Sequence, residues 1–343
     1  MEVAASEVRG APEAAVPRAR EVYFTEALQE ALAEEMRRDP EVFLLGEDIG
    51  VYGGCFGVTR GLLAEFGPER VRDTPISEAA LVGMAVGAAI LGARPVVEVM
   101  FMDFVTLAMD QLVNHAAKFR YVYGEQARVP LVLRCPAGAG RAYGATHSQS
   151  LEAWFLHVPG LKVVAPATAA DAKGLLKSAI RDDNPVIFIE NKVLYQSRER
   201  IPEGEYAIPL GQARRVCEGG DVTLVAYSRM AREAERAAVL LAEEGVSAEV
   251  IDLRTLAPLD IGTVVESVAK TGRVVLVEEG TRTGGACAEI GVQIFEHAWD
   301  SLDAPIRRVT TPDIPIPFAP ELEAAVIPAA ADIAAAARAL VET

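Results

Sequence analysis

Cysteine is scarce and scattered. The four thiols, Cys55, Cys135, Cys217 and Cys287, form no C-x-x-C pair. That argues against a zinc site or a disulfide framework and for a reducing, cytoplasmic setting. Basic side chains are outnumbered 33 to 49, for a formal charge of −16, which excludes a nucleic-acid backbone or an anionic membrane as partner. No N-terminal apolar region marks a secretory signal. The uncharged run Ala79–Ala93 is shorter than the roughly 20 residues a membrane span needs, and it reads as a helix buried on all sides. Histidine occurs only four times, without a G-x-S-x-G elbow beside it.

What is present is a chain of 343 residues, 51% of them hydrophobic, enough for two domains with a large core. Residues 1–18, rich in Ala, Glu and Pro, read as a disordered tail. A helix follows, with Ala27, Leu28, Ala31, Leu32 and Met36 on one face, Thr25 as its N-cap and Asp39-Pro40 as its end. Short apolar strands at 42–46, 95–99, 130–135, 162–166 and 185–190 then alternate with helices near 77–92, 104–119 and 170–181. After 196–212, a Pro- and Gly-containing charged linker, the alternation restarts. Strands are expected at 222–227, 247–253, 273–279 and 306–310, with helices at 230–244, 260–270 and 285–299 and one more at the C-terminus. The fold class is therefore α/β: two doubly wound domains, 19–195 and 213–343, each with a parallel sheet covered on both faces.

Four features carry candidate chemistry. The glycine-rich turn Gly46–Gly57 follows a strand and resembles a phosphate cradle, but it lacks the Walker Lys-Ser/Thr ending and contains Glu47 and Asp48; a tight turn is the plainer reading. Gly83 and Gly87 share a helix face, which favours close approach of a second helix, inside the chain or across a subunit boundary. Glu78 heads the apolar helix behind Ser77. An acid at a helix start is favoured by the dipole, by about 0.3–1 kcal/mol. In a dry site, desolvation would outweigh the dipole and favour the neutral acid, which suits proton sharing with a weakly basic ring nitrogen. His147 lies on the glycine-rich loop "GAGRAYGATHSQS", where an imidazole can reach a site from above.

The stretches "LLGEDIG", "RVRDTPISEAALVGMAVGAAILGARPVVEVMFMDF", "GATHSQSLEAW", "VPGLKVVAPATAADAKGLLKSAIRDDNPVIFIENKVLY" and "EVIDLRTLAPLD" resemble the β subunit of thiamine-diphosphate-dependent 2-oxoacid dehydrogenases. The likeness runs from about residue 20 to about residue 330. It implies a transketolase-like pyrimidine-binding domain followed by a transketolase C-terminal domain. It also implies an α2β2 heterotetramer in which the α subunit, through a G-D-G…N motif missing here, holds magnesium and the cofactor's diphosphate. The implied activity is oxidative decarboxylation of a 2-oxoacid, pyruvate first, with acyl transfer to the lipoyl domain of a dihydrolipoamide acyltransferase core. By resemblance Glu78 hydrogen-bonds the aminopyrimidine ring, Glu47 is an acid near the cofactor, and Ile76, Met100 and Phe104 line the pyrimidine pocket. His147 matches a loop histidine that assists transfer to lipoamide. Some relatives hold a structural potassium ion; the matching positions are Leu131, Ala179, Ile180, Asp182 and Asn184, mostly through backbone carbonyls. Phe104, where branched-chain relatives carry Tyr, favours the pyruvate or acetoin type, and the loop sequences divide between those two. Half of a split transketolase and an inactive docking subunit are the competing readings.

Overall fold

The computed structural model describes residues 19–342; the tail expected at 1–18 lies outside them. In chain order the elements of the first half are β1 (Ala19–Tyr23), α1 (Phe24–Arg38), β2 (Val42–Gly46), α2 (Leu62–Phe66), β3 (Val71–Asp73), α3 (Glu78–Ile90), β4 (Arg94–Glu98), α4 (Met102–Val105), α5 (Ala117–Val122), β5 (Val132–Ala137), α6 (Glu152–Leu156), β6 (Lys162–Val164), α7 (Ala169–Arg181), β7 (Val186–Asn191) and β8 (Arg198–Pro202). The second half contains β9 (Arg214–Cys217), β10 (Val222–Ala226), α8 (Ser228–Glu243), β11 (Ala248–Asp252), β12 (Thr255–Ala257), α9 (Ile261–Thr271), β13 (Val274–Thr281), α10 (Ala286–Ala298), β14 (Arg307–Thr311), α11 (Pro320–Val326) and α12 (Ala330–Val341).

The strands form a seven-stranded sheet, β12-β6-β7-β5-β4-β2-β3, and a five-stranded sheet, β14-β13-β10-β11-β9. Each is parallel except for one antiparallel edge strand, β12 in the first and β9 in the second. A continuous apolar layer lies between them. Leu81, Val86, Val97 and Leu133 from the first half meet Val225, Leu253, Leu276 and Ile290 from the second. On the far side of the first sheet, α1 and α7 bury Phe24, Leu28, Leu32, Leu175 and Phe188. On the far side of the second, α8 and α12 bury Leu224, Met230, Ile333 and Leu340. The stretch Pro320–Val341 has the length and hydropathy of a membrane span, but it is split between α11 and α12, and α12 packs on α8.

Several local expectations need correction. α1 starts at Phe24, not after a Thr25 cap, because β1 runs straight into it and the Glu26 carboxylate accepts from the Tyr23 N–H at 2.7 Å. Ser77 sits at the N-cap of α3, but its hydroxyl donates to the Pro75 carbonyl and caps nothing in the helix. The helix expected at 104–119 is longer, running from Met102 to Val122 through a 3-10 turn at Thr106–Ala108 and a π-helical turn at Gln111–Ala116. The segment 196–212 is strapped down. Its β8 pairs with β1, and the Ile208 N–H donates to the Gly174 carbonyl at 3.0 Å. A Cβ on Gly174 would lie 2.6 Å from Ile208. Finally, α3 is not buried all round: Leu81, Val82, Ala85, Val86 and Ala89 face the core, while Met84 is 57% and Leu91 90% exposed. Gly83 faces Gln111 within the chain, and Gly87 meets nothing.

Beneath the carboxyl ends of β4, β5 and β7 lies a buried ion cluster. Arg134 donates to Glu98 at 2.7 Å and, through two nitrogens, to Glu190 at 2.7 and 2.8 Å. Tyr195 donates to the same Glu190 at 2.7 Å. Burial, opposed by the guanidinium, pushes the Glu98 carboxyl above its ordinary range. Removing the single cation would strand two carboxylates in the interior. Arg134→Met should therefore cost about 3–5 kcal/mol of unfolding free energy, read from urea denaturation of the full-length chain.

Candidate functional site

Strands β2, β4, β5 and β7 are mutually parallel neighbours, so all their carboxyl ends open on one edge of the sheet. After β2 the chain goes outward to β3 and returns on the other side of β2 as β4. That reversal opens a crevice between the two strand ends, the usual ligand position in such sheets. Each candidate side chain hangs from this edge. Glu47 follows β2, Met100 and Phe104 follow β4, His147 rides the loop after β5, and Lys192 and Tyr195 follow β7.

Glu47 and Glu78 form one group. Both are buried, at 3% and 6% exposure. Burial pushes the Glu47 carboxyl above its ordinary range. The neighbouring Glu78 charge adds to this, and a hydrogen bond from the Ser77 backbone opposes it. Glu47 Oε1 is sealed from solvent and has no hydrogen-bond partner. A buried acceptor without a donor is costly, and the nearby negative charge adds to the cost. A donor-rich heterocycle seated here would satisfy both. In this respect the residues fit the aminopyrimidine end of thiamine diphosphate.

Phe104 and His147 form a second group. The imidazole packs edge-on against Phe104 (5.1 Å between centroids) and Phe101 (4.9 Å). Phe101 in turn touches Phe56 and Tyr143. His147 Nδ1 shares a hydrogen bond with the Thr146 hydroxyl at 3.1 Å. Met100 is half-buried at the same edge. Ile76 is 78% exposed, so the chain alone does not enclose it. Phe101 escaped the sequence reading because nothing distinguishes it from Phe104 until the helix start at Met102 separates their directions. A cavity of about 310 Å³ is lined by Tyr143 together with Arg60 and Arg141, two guanidiniums from distant segments that no local pattern could bring to one site.

The glycine-rich turn after β2 is a tight turn. The Gly54 N–H donates to the Asp48 carbonyl at 2.9 Å and the Thr59 N–H to the Gly53 carbonyl at 3.1 Å. At Gly54, φ is +78° and a Cβ would lie 2.9 Å from Glu98 Oε1. The potassium positions do not form an open cage. Arg94 donates to the Ile180 and Asp182 carbonyls at 3.0 and 3.1 Å. Lys162 pairs with the Asp182 carboxylate, whose other oxygen accepts from Asn184. Ala179 and Leu131 carbonyls accept from Asp182 and Val186 N–H groups. A guanidinium and an ammonium already hold the Ile180 and Asp182 oxygens of this set, which makes it a poor fit for a bound alkali ion. Among the described residues, no group of three or more His, Cys, Asp or Glu side chains converges as a metal site.

Two family models match in tandem: the transketolase pyrimidine-binding domain over residues 20–198 and the transketolase C-terminal domain over 211–333. The chain is 49% identical over 330 residues to the acetoin:2,6-dichlorophenolindophenol oxidoreductase β subunit of Cupriavidus necator, covering 93% of this chain and 97% of that one. It is 48% identical to a mitochondrial pyruvate dehydrogenase E1 component β subunit of Arabidopsis thaliana, with 93% and 89% covered. It is 49% identical to the corresponding subunit of Rickettsia felis, with 91% and 96% covered. The chain belongs to the β-subunit family of thiamine-diphosphate-dependent 2-oxoacid dehydrogenases. Among solved structures, a chain described as split-gene transketolase, inactive β4 tetramer, superposes with a TM-score of 0.74 at 25% identity, over 94% of this chain and 98% of that one. The family's transketolase-like architecture is the one seen here, with the crevice of the first sheet facing the C-terminal half.

The raised Glu47 carboxyl has a consequence for stability. A carboxyl whose value is higher in the folded chain gives stability that is complete below its unfolded value and lost as pH rises through the folded one. Glu47→Gln should therefore raise the thermal midpoint of the ligand-free chain at neutral pH. It should also flatten the decline seen as pH climbs out of the ordinary carboxylate range. Thermal melts across that range check both effects.

Proposed function

We propose that this chain supplies the pyrimidine-side half of a thiamine diphosphate site and acts as the β subunit in oxidative decarboxylation of a 2-oxoacid, most readily pyruvate, with acyl transfer to lipoamide. Acetoin is the alternative substrate, supported by the Cupriavidus relative. The observation that carries the reading is the buried Glu47–Glu78 pair with an unsatisfied acceptor at the mouth of the β2–β4 crevice. The cofactor, when bound, supplies the electron sink for loss of carbon dioxide. Glu78 would hold a ring nitrogen and exchange a proton with it, and Glu47 would accept from a neighbouring donor. Phe104 would offer a flat face, and with Phe101 it would keep water from the crevice. His147, with Nδ1 engaged by Thr146, keeps Nε2 for moving a proton during acyl transfer.

The α subunit would complete the site in an α2β2 assembly and hold magnesium and the diphosphate. The half-open state of α3 supports such a partner. Met84 and Leu91 form an exposed apolar strip beside Gly87, and exposed Ile76 lies just before the helix. Contiguous apolar surface of this kind marks an interface. Docking to a dihydrolipoamide acyltransferase core belongs to the same proposal. So does a cytoplasmic location, which the free thiols Cys55, Cys135, Cys217 and Cys287 support.

Glu78→Gln should leave the reconstituted complex assembled but slow proton–deuterium exchange at the thiazolium carbon by about 10²–10⁴-fold; wild-type exchange would remove the assignment. His147→Ala should lower acylation of a lipoyl domain more than it lowers dye reduction with the same oxoacid. Equal losses in the two assays would count against a transfer role.

A further inference from the structure

The loop from Gly138 to Gln149 is pinned at its backbone by carboxylates from three different elements and by Lys192, just past β7. Its base is closed by the Gly138 N–H on the Gln149 carbonyl at 3.1 Å. Glu279 of β13 accepts from the Ala139 N–H. Glu323 of α11 accepts from both Gly140 and Ala142 at 2.9 Å. Asp103 of α4 accepts from the backbone and side chain of Gln149 at 3.2 and 2.9 Å. At the histidine itself the polarity reverses: the His147 carbonyl accepts from Lys192 Nζ at 2.6 Å.

Lys192 is an unusual residue to find there. It is completely buried, yet no carboxylate lies within ion-pair distance among the described residues; its salt-bridge partners would have to come from Asp103, Glu279 or Glu323, which act on it only from further away. Its ammonium sits over the rings of Phe101 (5.3 Å) and Tyr143 (5.9 Å). Phe101 is also the ring that packs on the imidazole. The Lys192 carbonyl accepts from Arg141, on the same loop, at 3.1 Å. One residue thus holds the His147 backbone, one wall of its ring pocket and the arginine six positions before it.

We infer that Lys192 is a positioning residue for His147, its ammonium fixing the height of the imidazole by holding the His147 carbonyl and closing on the faces of Phe101 and Tyr143. The inference rests on the transfer role proposed for His147. The held geometry depends on charge. An ammonium donates a hydrogen bond roughly twice as strong as a neutral amine does, and only the cation is attracted to a ring face.

That charge is easily lost. Burial lowers the Lys192 value to about 8, against the attraction of Asp103, Glu279 and Glu323 and of the Cys135 thiol on β5. Below that pH the lysine is charged in the folded and unfolded chain alike. Above it, the folded chain releases its proton first, so the unfolded chain binds more protons and stability increases with pH. Loosening of the loop and gain in stability therefore appear together as pH rises, whereas a purely structural contact would lose stability with its charge, which separates positioning from plain structural support.

Two measurements test this. In the reconstituted complex, lipoyl-domain acylation should fall with a midpoint near pH 8 while dye reduction stays flatter. Lys192→Met should lower acylation about tenfold to a hundredfold, the usual effect of misplacing a reacting group by an ångström, and abolish that limb. Lys192→Arg keeps a permanent charge, so it should retain more transfer than Met and also lose the limb. Tyr143→Leu, at a partly exposed position, should move the limb to lower pH; it serves if the buried variants fail to fold. In the full-length chain alone, the His147 C2–H resonance should shift with the same midpoint, and the shift should vanish in Lys192→Arg. Complexes inactive in both assays with a normal resonance titration would sink the proposed function and leave the positioning role standing. An unchanged limb in Lys192→Arg together with an unchanged resonance titration would overturn the role of Lys192.

Discussion

The arrangement depends on one interior cation. Arg134 stands on the central strand β5 with a carboxylate on each side, Glu98 from β4 and Glu190 from β7. Its planar fork demands that three neighbouring strands end at the same height, a geometric requirement a lysine would not impose. Apart from Glu47 and Glu78, what reaches the crevice departs from those three strand ends or packs against them. The turn carrying Gly54 packs against Glu98, the helix bearing Phe104 follows it, the His147 loop springs from β5, and Lys192 comes two residues after Glu190. A buried ion cluster is weak support for stability taken alone. Here it sets the level of the platform on which two separate chemistries are mounted.

Those chemistries have opposite electrostatic designs. At the head of α3 the protein concentrates negative charge without a compensating cation: Glu47 and Glu78 are sealed in together, and one acceptor atom is left with no donor. Under the His147 loop the reverse holds, with a cation wrapped in aromatic faces and a carbonyl. The first arrangement would suit a donor-rich heterocycle; the second would steady the imidazole proposed to approach it from above. Both spend folding stability on burying charged side chains without an opposite charge beside them, as expected where function overrides packing.

Much of this was legible in the residues. Strand and helix order followed from short apolar runs alternating with helical stretches, and most boundaries lie within two residues. Glu78 announced itself as an acid at the start of an apolar run, and His147 as an imidazole on a glycine-rich loop. Partnerships between distant segments were not legible. Nothing local says that Glu47 will be buried near Glu78, or that Lys192 will reach the His147 carbonyl. Residues 79–93 looked uniformly apolar, so no periodicity revealed which face would stay open. Short strands such as Thr255–Ala257 are too brief for any pattern to declare them, and their pairing is decided by tertiary contacts. The oxygens matched to potassium showed a different limit. The residues are present, but Arg94 and Lys162, from elsewhere in the chain, hold the oxygens of two of them, Ile180 and Asp182.

The edge strand β12 has a consequence for synthesis. Thr255–Ala257 completes the first sheet by pairing with β6, but a ribosome delivers it long after the other six strands. Until then the nascent first half exposes an unpaired β6 edge, and the apolar layer it shares with the second half is uncovered. An open strand edge above an oily surface is a template for wrong pairing. Premature termination near residue 200 should therefore yield aggregates rather than a small soluble domain, and the chain is built to be finished before it is finally closed.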